Sequence, residues 1–240
     1  MAYWFDLVMV PLQIFLFLVT VYYFFIGFFG MWRRHEDKIL TPEKTFAIVV
    51  AAHNERAVIG QLIENLQKLE YPKPYYDIFV VADNCFDDTA EIARRAGAIV
   101  CERQSEVGKG KGFALEWMFE RLFAMERQYD AVVVFDADNL VHPRFLLEMN
   151  NRLLKGDQLI QGYLDAKNPY DTWVSGTFAI AFWVIDHIWH LAKTNIGLSS
   201  VLGGTGMCIT TEVLKRHGWG ATCLTEDNYQ IGRASCRERV

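Results

Sequence analysis

The sequence predicts an α/β fold with a mostly parallel sheet, preceded by one transmembrane helix. Three observations lead there. Short apolar runs of strand length recur: FAIVVAA at 46–52, DIFVVAD at 77–83 and AVVVF at 131–135. Strands covered on both faces need apolar residues at every position, and this is the pattern of a parallel sheet. Segments of helical periodicity alternate with these runs, which is the order of βα units. Finally, Leu7 to Gly30 is a run of 24 residues without a charge.

That first run is long enough to cross a bilayer, which takes about 20 apolar residues. Tyr3, Trp4 and Phe5 precede it, and Phe28, Phe29 and Trp32 close it, as in interfacial aromatic belts. Arg33, Arg34 and Lys38 follow, while only Asp6 carries a side-chain charge before it, so the rest of the chain is expected on the cytosolic side of the cell membrane. A signal peptide would need a basic n-region and a small-residue cleavage site, and neither is present. Residues 1–40 therefore read as anchor and connector.

Beyond the connector, Thr41-Pro42 stops the polar stretch and Phe46–Ala52 forms the first strand. Asn54 is placed to cap a helix to about Leu69, with Val58, Ile59, Leu62, Ile63, Leu66 and Leu69 at helical spacing. Asp77–Asp83 is the second strand. Asp87, Asp88 and Thr89 open a helix that Gly97 ends. A short strand at 98–101, a helix from Gly110 to about Arg127 and the strand at 131–135 follow. Pro143 suits the first turn of the next helix, and 159–166 reads as a strand. Trp173–Leu191 is apolar and aromatic, interrupted by Asp186, His187 and His190. It fits either an amphipathic helix at the membrane surface or acceptor channel, or a helix packed on the core.

The chain ends in IGRASCRERV (231–240), which reads as a translated sequencing adapter rather than native chain and leaves Gln230 suspect. The natural protein is then expected to continue past it, with further spans. Without these ten residues the net charge goes from -5 to -7, since they hold three Arg and one Glu. An acidic chain is a poor match for nucleic acid. The five cysteines are scattered without a CxxC pair, which fits a reducing compartment and argues against a zinc site. His35, His142, His187, His190 and His217 form no ligand pattern, and no GxSxG nucleophile motif is present.

Ligands of open α/β sheets bind beyond the carboxyl ends of the strands. The polar clusters of this chain fall there. Asp136-Ala137-Asp138 follows a buried strand; two carboxylates two residues apart suit a divalent cation such as Mg²⁺ or Mn²⁺ with positions left for phosphate oxygens, or simply a turn that caps the next helix. Asp83 ends its strand where it can accept from a base or ribose, and His53-Asn54-Glu55 sits at the first strand's end. Gly108-Lys109-Gly110-Lys111-Gly112 opens a helix with backbone donors and ammonium groups that suit a phosphate, though it is not a Walker loop. In Thr225-Glu226-Asp227 a carboxylate is available as general base, or the group is a helix cap. Gly203-Gly204-Thr205-Gly206 permits close backbone approach, or is a tight turn.

Taken in order, AAHNE (51–55), VVADNCFDDTA (80–90), GKGKGFAL (108–115), VVFDADN (133–139), GGTG (203–206) and LTED (224–227) resemble glycosyltransferase family 2, nearest its membrane-bound branch of cellulose, chitin and hyaluronan synthase-like enzymes. The resemblance covers about 45–229. It implies a GT-A (Rossmann-like) domain over 41–230, a nucleotide-diphosphate sugar donor, usually UDP-linked, and a glycan or lipid acceptor. It places His53, Glu55 and Asp83 around the nucleotide. Lys111 falls on the diphosphate, with Lys109 beside it. Asp136 and Asp138 fall on the metal, with Asp138 as the more direct ligand. Asp227, with Glu226 beside it, matches the catalytic base, and Gly204 and Thr205 lie at the acceptor. Transfer would invert the anomeric configuration. The QxxRW-type motif and later membrane helices of processive synthases are not found in this sequence, so a single-addition glycolipid transferase stands beside a polysaccharide synthase. A non-catalytic nucleotide-binding membrane protein is the reading from another class. The opening signature of sugar nucleotidyltransferases is missing after the first strand.

Overall fold

The computed structural model describes residues 2–32, 38–198 and 202–220, together with the side chains of all these except 2–4 and 6. Arg33 and Arg34, the carboxylates Glu226 and Asp227, and the tail at 231–240 lie outside the described residues. The chain divides into two compact units, Met1–Glu36 with Leu164–Ser200, and Asp37–Tyr163 with Val201–Val240.

The larger unit is a six-stranded sheet in the order β3-β2-β1-β4-β6-β5. Its strands are β1 (Phe46–Ala52), β2 (Tyr76–Asp83), β3 (Ile99–Arg103), β4 (Ala131–Asp136), β5 (Leu159–Gln161) and β6 (Met207–Thr210). β1, β2, β3 and β4 run parallel, whereas β6 is antiparallel to both β4 and β5. The alternation of β1 explains its uninterrupted apolar sequence. Phe46, Ile48 and Val50 face one layer with α2 (Ile59–Leu66), α3 (Thr89–Arg95) and α5 (Phe145–Leu154). Ala47 and Val49 face the other with α4 (Lys111–Ala124). All five of these β1 side chains are fully buried. Such strands cannot slip by one residue at an advantage, because both faces are core; their register rests on the flanking turns and helices.

Several expectations are corrected here. The helix after β1 begins at Ile59 with Val58 at its cap position, four residues later than the Asn54 cap predicts. Asn54 has φ 57°, a left-handed conformation that Asn tolerates, and its side-chain oxygen accepts the Phe86 N–H at 2.8 Å. The residue serves the loop rather than the helix. The strand expected over 159–166 keeps only three residues. β6 was not anticipated: four residues are too few to carry a periodic signal, and its strand identity comes from pairing with β4 and β5. The helix expected over 110–127 runs over Lys111–Ala124.

The smaller unit is helical. α1 (Ala2–Phe28) and the 3₁₀ turn that continues it (Phe29–Met31) carry the only candidate membrane span among the described residues, Leu7–Met31, with mean hydropathy 2.2. At 1.5 Å per residue its 27 residues cover roughly 40 Å, more than the ~30 Å of bilayer hydrocarbon. Pro11 lies inside this helix, as proline does more often in membrane helices than in soluble ones. α6 (Trp173–Val184) is capped by Thr172, whose hydroxyl accepts the Ser175 N–H while Ser175 Oγ accepts the Thr172 N–H. It passes through a π-helical stretch, Ile185–Leu191, into α7 (Ala192–Asn195). Of the two readings for this segment, the structure places it in the unit with α1. The contacts gather at the last turns of α1. Tyr23 and Trp189 rings lie 5.0 Å apart, and Asn195 Nδ2 donates to Phe29 O and Trp32 O at 2.8 Å. Glycine is required at this crossing. A Cβ on Gly30 would stand 2.2 Å from His187 O, and one on Gly27 would stand 2.8 Å from Ile188 Cγ2. α8 (Thr211–His217) completes the second face of the larger unit, where Val213 and Leu214 join the layer of α4.

Candidate active site

The strand order reverses direction at β1, which has β2 on one side and β4 on the other. The chain steps outward from β1 to β2 and β3 over the face of α2 and α3 and returns to β4 over the opposite face through α4, so the carboxyl ends of β1 and β4 border the switch point where ligands of open sheets bind. Ala51 pairs with Asp136 in the register, which sets His53-Asn54-Glu55 beside the Asp136-Ala137-Asp138 turn.

On the β2 side, His53 Nδ1 meets Asp83 O at 2.7 Å and its Nε2 meets Asn54 Nδ2 at 3.2 Å. A carbonyl only accepts, so Nδ1 carries the proton and Nε2 accepts from the amide. Both ring nitrogens are thereby engaged, and the exposed ring face is what His53 offers a ligand. The Phe86 ring, itself exposed, stands edge-on to it at 6.1 Å. Glu55 donates its N–H to Thr89 Oγ1 at 2.8 Å. The Cys85 thiol donates to Ala52 O at 3.4 Å, and burial pushes its pKa up, which keeps it a thiol and not a nucleophile.

Asp83 is only 5% exposed. Its Oδ1 accepts from Arg103 Nη1 at 2.5 Å and from Asn84 Nδ2 at 3.1 Å. Arg103 Nη2 also donates to Gly108 O at 2.8 Å. One guanidinium thus ties the end of β2 to the glycine-rich loop. The fork of an arginine can do this, whereas a lysine offers a single point of charge. Sequence reading missed Arg103. Its only signal was a charged residue closing a strand opposite Asp83, a pairing visible once the β2–β3 register is known.

The two lysines of the loop part ways. Lys109 is exposed and pairs with Glu106 at 3.3 Å. Lys111, at the start of α4, reaches across the sheet end. Its Nζ lies 2.7 Å from Asp136 Oδ1 and 2.6 Å from Gly204 O. Three sequence motifs separated by up to 93 residues therefore converge on one ammonium. Gly110 precedes it with φ 115°, a conformation open to glycine. The Asp136 N–H donates to Thr205 Oγ1 at 3.0 Å and to Asn139 Oδ1 at 3.1 Å, and Thr205 Oγ1 also donates to Asn139 Oδ1. This fixes the turn that presents the carboxylates. Ala137 is buried between half-buried Asp136 and exposed Asp138. Two carboxylates on a pinned turn make a hard-oxygen pair that fits Mg²⁺ or Mn²⁺ completed by phosphate oxygens. Among the described residues, no group of three His, Cys, Asp or Glu gathers into an all-protein cage. Glu226 and Asp227 lie outside the described residues.

A doubly covered, mostly parallel sheet of this kind is the fold of GT-A glycosyltransferase domains. Comparison with known proteins agrees. The family described as "Glycosyltransferase like family 2" matches residues 42–238, and the chain belongs to it. The chain is 29% identical over 205 residues to the beta-monoglucosyldiacylglycerol synthase of Nostoc sp., covering 81% of this chain and 42% of that protein. It is 34% identical over 121 residues to the low-salt glycan biosynthesis hexosyltransferase Agl6 of Haloferax volcanii, covering 50% of this chain and 27% of that one. The chain thus spans less than half the length of these relatives. A mannosyltransferase of Pyrobaculum calidifontis, solved in complex with GDP-Man and Mn²⁺, superposes with a TM-score of 0.65 at 18% identity, covering 87% of this chain and 56% of that one. That likeness concerns the fold.

Proposed function

We propose that the protein transfers a sugar from a nucleoside-diphosphate sugar, UDP-linked, to the hydroxyl of a lipid acceptor at the cytosolic face of the cell membrane, with inversion. The observation that carries this is the convergence of Lys111, Asp136 and Gly204 at the carboxyl ends of the parallel strands. Cationic and metal-binding groups gathered there suit a leaving diphosphate. The lipid acceptor rests on two supports. The similarity to a beta-monoglucosyldiacylglycerol synthase extends over most of this chain. The exposed apolar helix α1 would hold the enzyme where lipids are.

In this reading the exposed His53 face and Asp83, whose Oδ2 makes no hydrogen bond among the described residues, receive the nucleoside. Lys111 pairs with the diphosphate as charge develops on it. Asp136 and Asp138 hold a divalent cation, which neutralises the same charge when bound. Asp227 takes the proton from the acceptor hydroxyl, which attacks the anomeric carbon from the face opposite the diphosphate. The helix from Trp173 to Asn195, whose contacts with α1 gather at that helix's cytosolic end, lies in the membrane surface and presents Trp173, Phe178 and Ile180 to lipid.

The test is a transfer assay on the full-length protein with radiolabelled UDP- and GDP-sugars, diacylglycerol vesicles, and Mn²⁺ or chelator. A glycolipid of inverted anomeric configuration, formed only with cation, is the expected product. A long polymer instead would favour the polysaccharide-synthase reading. Asp227→Asn is expected to lower turnover by about 10²–10⁴-fold at unchanged donor affinity, the usual contribution of a general base. Equal losses of turnover and donor affinity would remove Asp227 from that role.

A further inference from the structure

The turn at 203–206 supplies both the carbonyl that holds Lys111 and the hydroxyl that holds the Asp136 N–H. It is built from three glycines and one threonine, and Gly204 and Gly206 have φ of 76° and 62°. Such a segment has many conformations open to it, so something must select one. The backbone contributes two ties. Gly206 N donates to Val134 O at 2.8 Å, and Gly162 N donates to Gly206 O at 2.8 Å. Both act on the last residue of the turn and leave 203–205 unspecified.

Thr205 Oγ1 is tied to the Asp136 N–H and Asn139, and Gly204 O to Lys111, while the backbone N–H of Gly203 and the carbonyl of Thr205 are both held by one side chain. Gln161, the last residue of β5, accepts the Gly203 N–H on Oε1 at 2.7 Å. Its Nε2 donates to Thr205 O at 2.9 Å and to Gly162 O at 3.0 Å. The amide therefore bridges the turn from both sides, over residues 42 and 44 positions away in the chain. The task needs an acceptor and a donor side by side, which the planar amide of Gln or Asn provides and an apolar or a charged side chain does not. Asn is a methylene too short to reach from the same backbone. The strand end that carries Gln161 is itself held tightly. A Cβ on Gly162 would stand 2.7 Å from Phe145 Cε2 and 2.9 Å from Gly206 O.

We propose that Gln161 is the positioning residue of this active site. It sets the 203–206 turn and, through Gly204 O and Thr205 Oγ1, the places of Lys111 and of the Asp136 carboxylate. This rests on the sugar-transfer reading above. It also accounts for a three-residue edge strand. β5 is long enough to carry Gln161 into register with Met207 and no longer.

Two substitutions in the full-length protein test it. Gln161→Glu keeps the shape and replaces the donor with an oxygen that faces the carbonyls of Thr205 and Gly162. Gln161→Met keeps the volume and makes neither bond. Misplacing reacting groups by about 1 Å can cost 10²-fold in rate. Both variants are expected to lower kcat by about 10–10²-fold and to raise the acceptor KM. UDP affinity is expected to fall by a smaller factor than kcat, because His53 and Asp83 at the β1 and β2 ends do not depend on the turn, and the melting temperature of Gln161→Met is expected to stay close to wild type. A merely structural residue would reduce the folded fraction and leave kcat and both KM values per active site unchanged, and that result overturns the proposal. Wild-type kcat and KM in both variants would overturn it as well. If the wild-type protein neither binds UDP nor transfers sugar, the sugar-transfer reading fails first and this assignment falls with it.

Discussion

Replacing Arg103 with methionine removes a guanidinium from a carboxylate that has almost no access to water. The two side chains are 9% and 7% exposed and meet at 2.5 Å. In Arg103→Met, Asp83 keeps one bond on that oxygen, from Asn84 Nδ2 at 3.1 Å, and its charge is uncompensated. Breaking a buried pair by removing one partner costs about 3–5 kcal/mol, mostly because the other charge is left buried. Against a total stability of about 5–15 kcal/mol this is a large share. For a unit of this size each kcal/mol moves the melting temperature by about 2–4 °C, so a fall of roughly 6–20 °C is expected. The second contact, Nη2 to Gly108 O, is lost as well and releases the glycine-rich loop. Removing both charges should be milder, because neutral replacements of buried pairs are often near neutral in stability. Asp83→Asn with Arg103→Met is therefore expected to recover at least half of the single-variant loss. Thermal unfolding of the full protein in detergent, followed by tryptophan fluorescence, reads these two variants and the Asp83→Asn single variant. A shift below about 2 °C for Arg103→Met, or a double variant as unstable as the summed singles, would refute the argument that burial of this pair governs the site.

Two other outcomes follow from the same geometry. Lys111→Met is expected to weaken UDP binding, measured by calorimetry, and to strengthen Mn²⁺ binding without nucleotide, measured by electron paramagnetic resonance titration. The ammonium 2.7 Å from Asp136 Oδ1 repels a second cation at that oxygen, so weaker Mn²⁺ binding in the variant would show that the two do not compete. Gly30→Val places a side chain into the His187 carbonyl, and is expected to destabilise the helical unit by about 1–3 kcal/mol as overpacked sites do. Faster proteolysis within 164–198 in nanodiscs is the readout, and wild-type cleavage rates would contradict the close crossing.

Much of the sheet was legible in the residues. β1, β2 and β4 announce themselves because a strand buried on both faces leaves no position for a polar residue, and their polar ends then mark the binding edge. Short elements were less legible. β5 reads as a strand but five residues too long, and β6 does not read as one at all: three and four residues repeat the two-residue period of a strand too few times, and the two exist through pairing with each other and, for β6, with β4. The helix start failed for a related reason. Asn54 has the chemistry of a cap, and the loop at 84–86 drew its side chain away.

The candidate site divides along the same line. Lys111, Asp136 and Gly204 were each assigned from motifs, since glycine-rich, lysine-bearing and paired-carboxylate segments after strands carry their chemistry in residue type and local order. Which lysine of the loop turns inward was decided by the helix that starts at Lys111, which leaves Lys109 outside with Glu106. Arg103 and Gln161 were invisible beforehand, because an arginine or glutamine in a strand means little until its partners are known. Those partners lie 20 residues away for Asp83 and 42 to 44 away for the glycine turn. By itself the sequence determined the membrane-length helix, the alternating strands and helices, and the chemical character of the strand ends, because these depend on composition and period within a few residues. Only the tertiary structure decided which carboxylate meets the arginine, which lysine meets Asp136 and what holds the glycine turn, because hydrogen bonds and ion pairs form between atoms about 3 Å apart, whatever their separation along the chain.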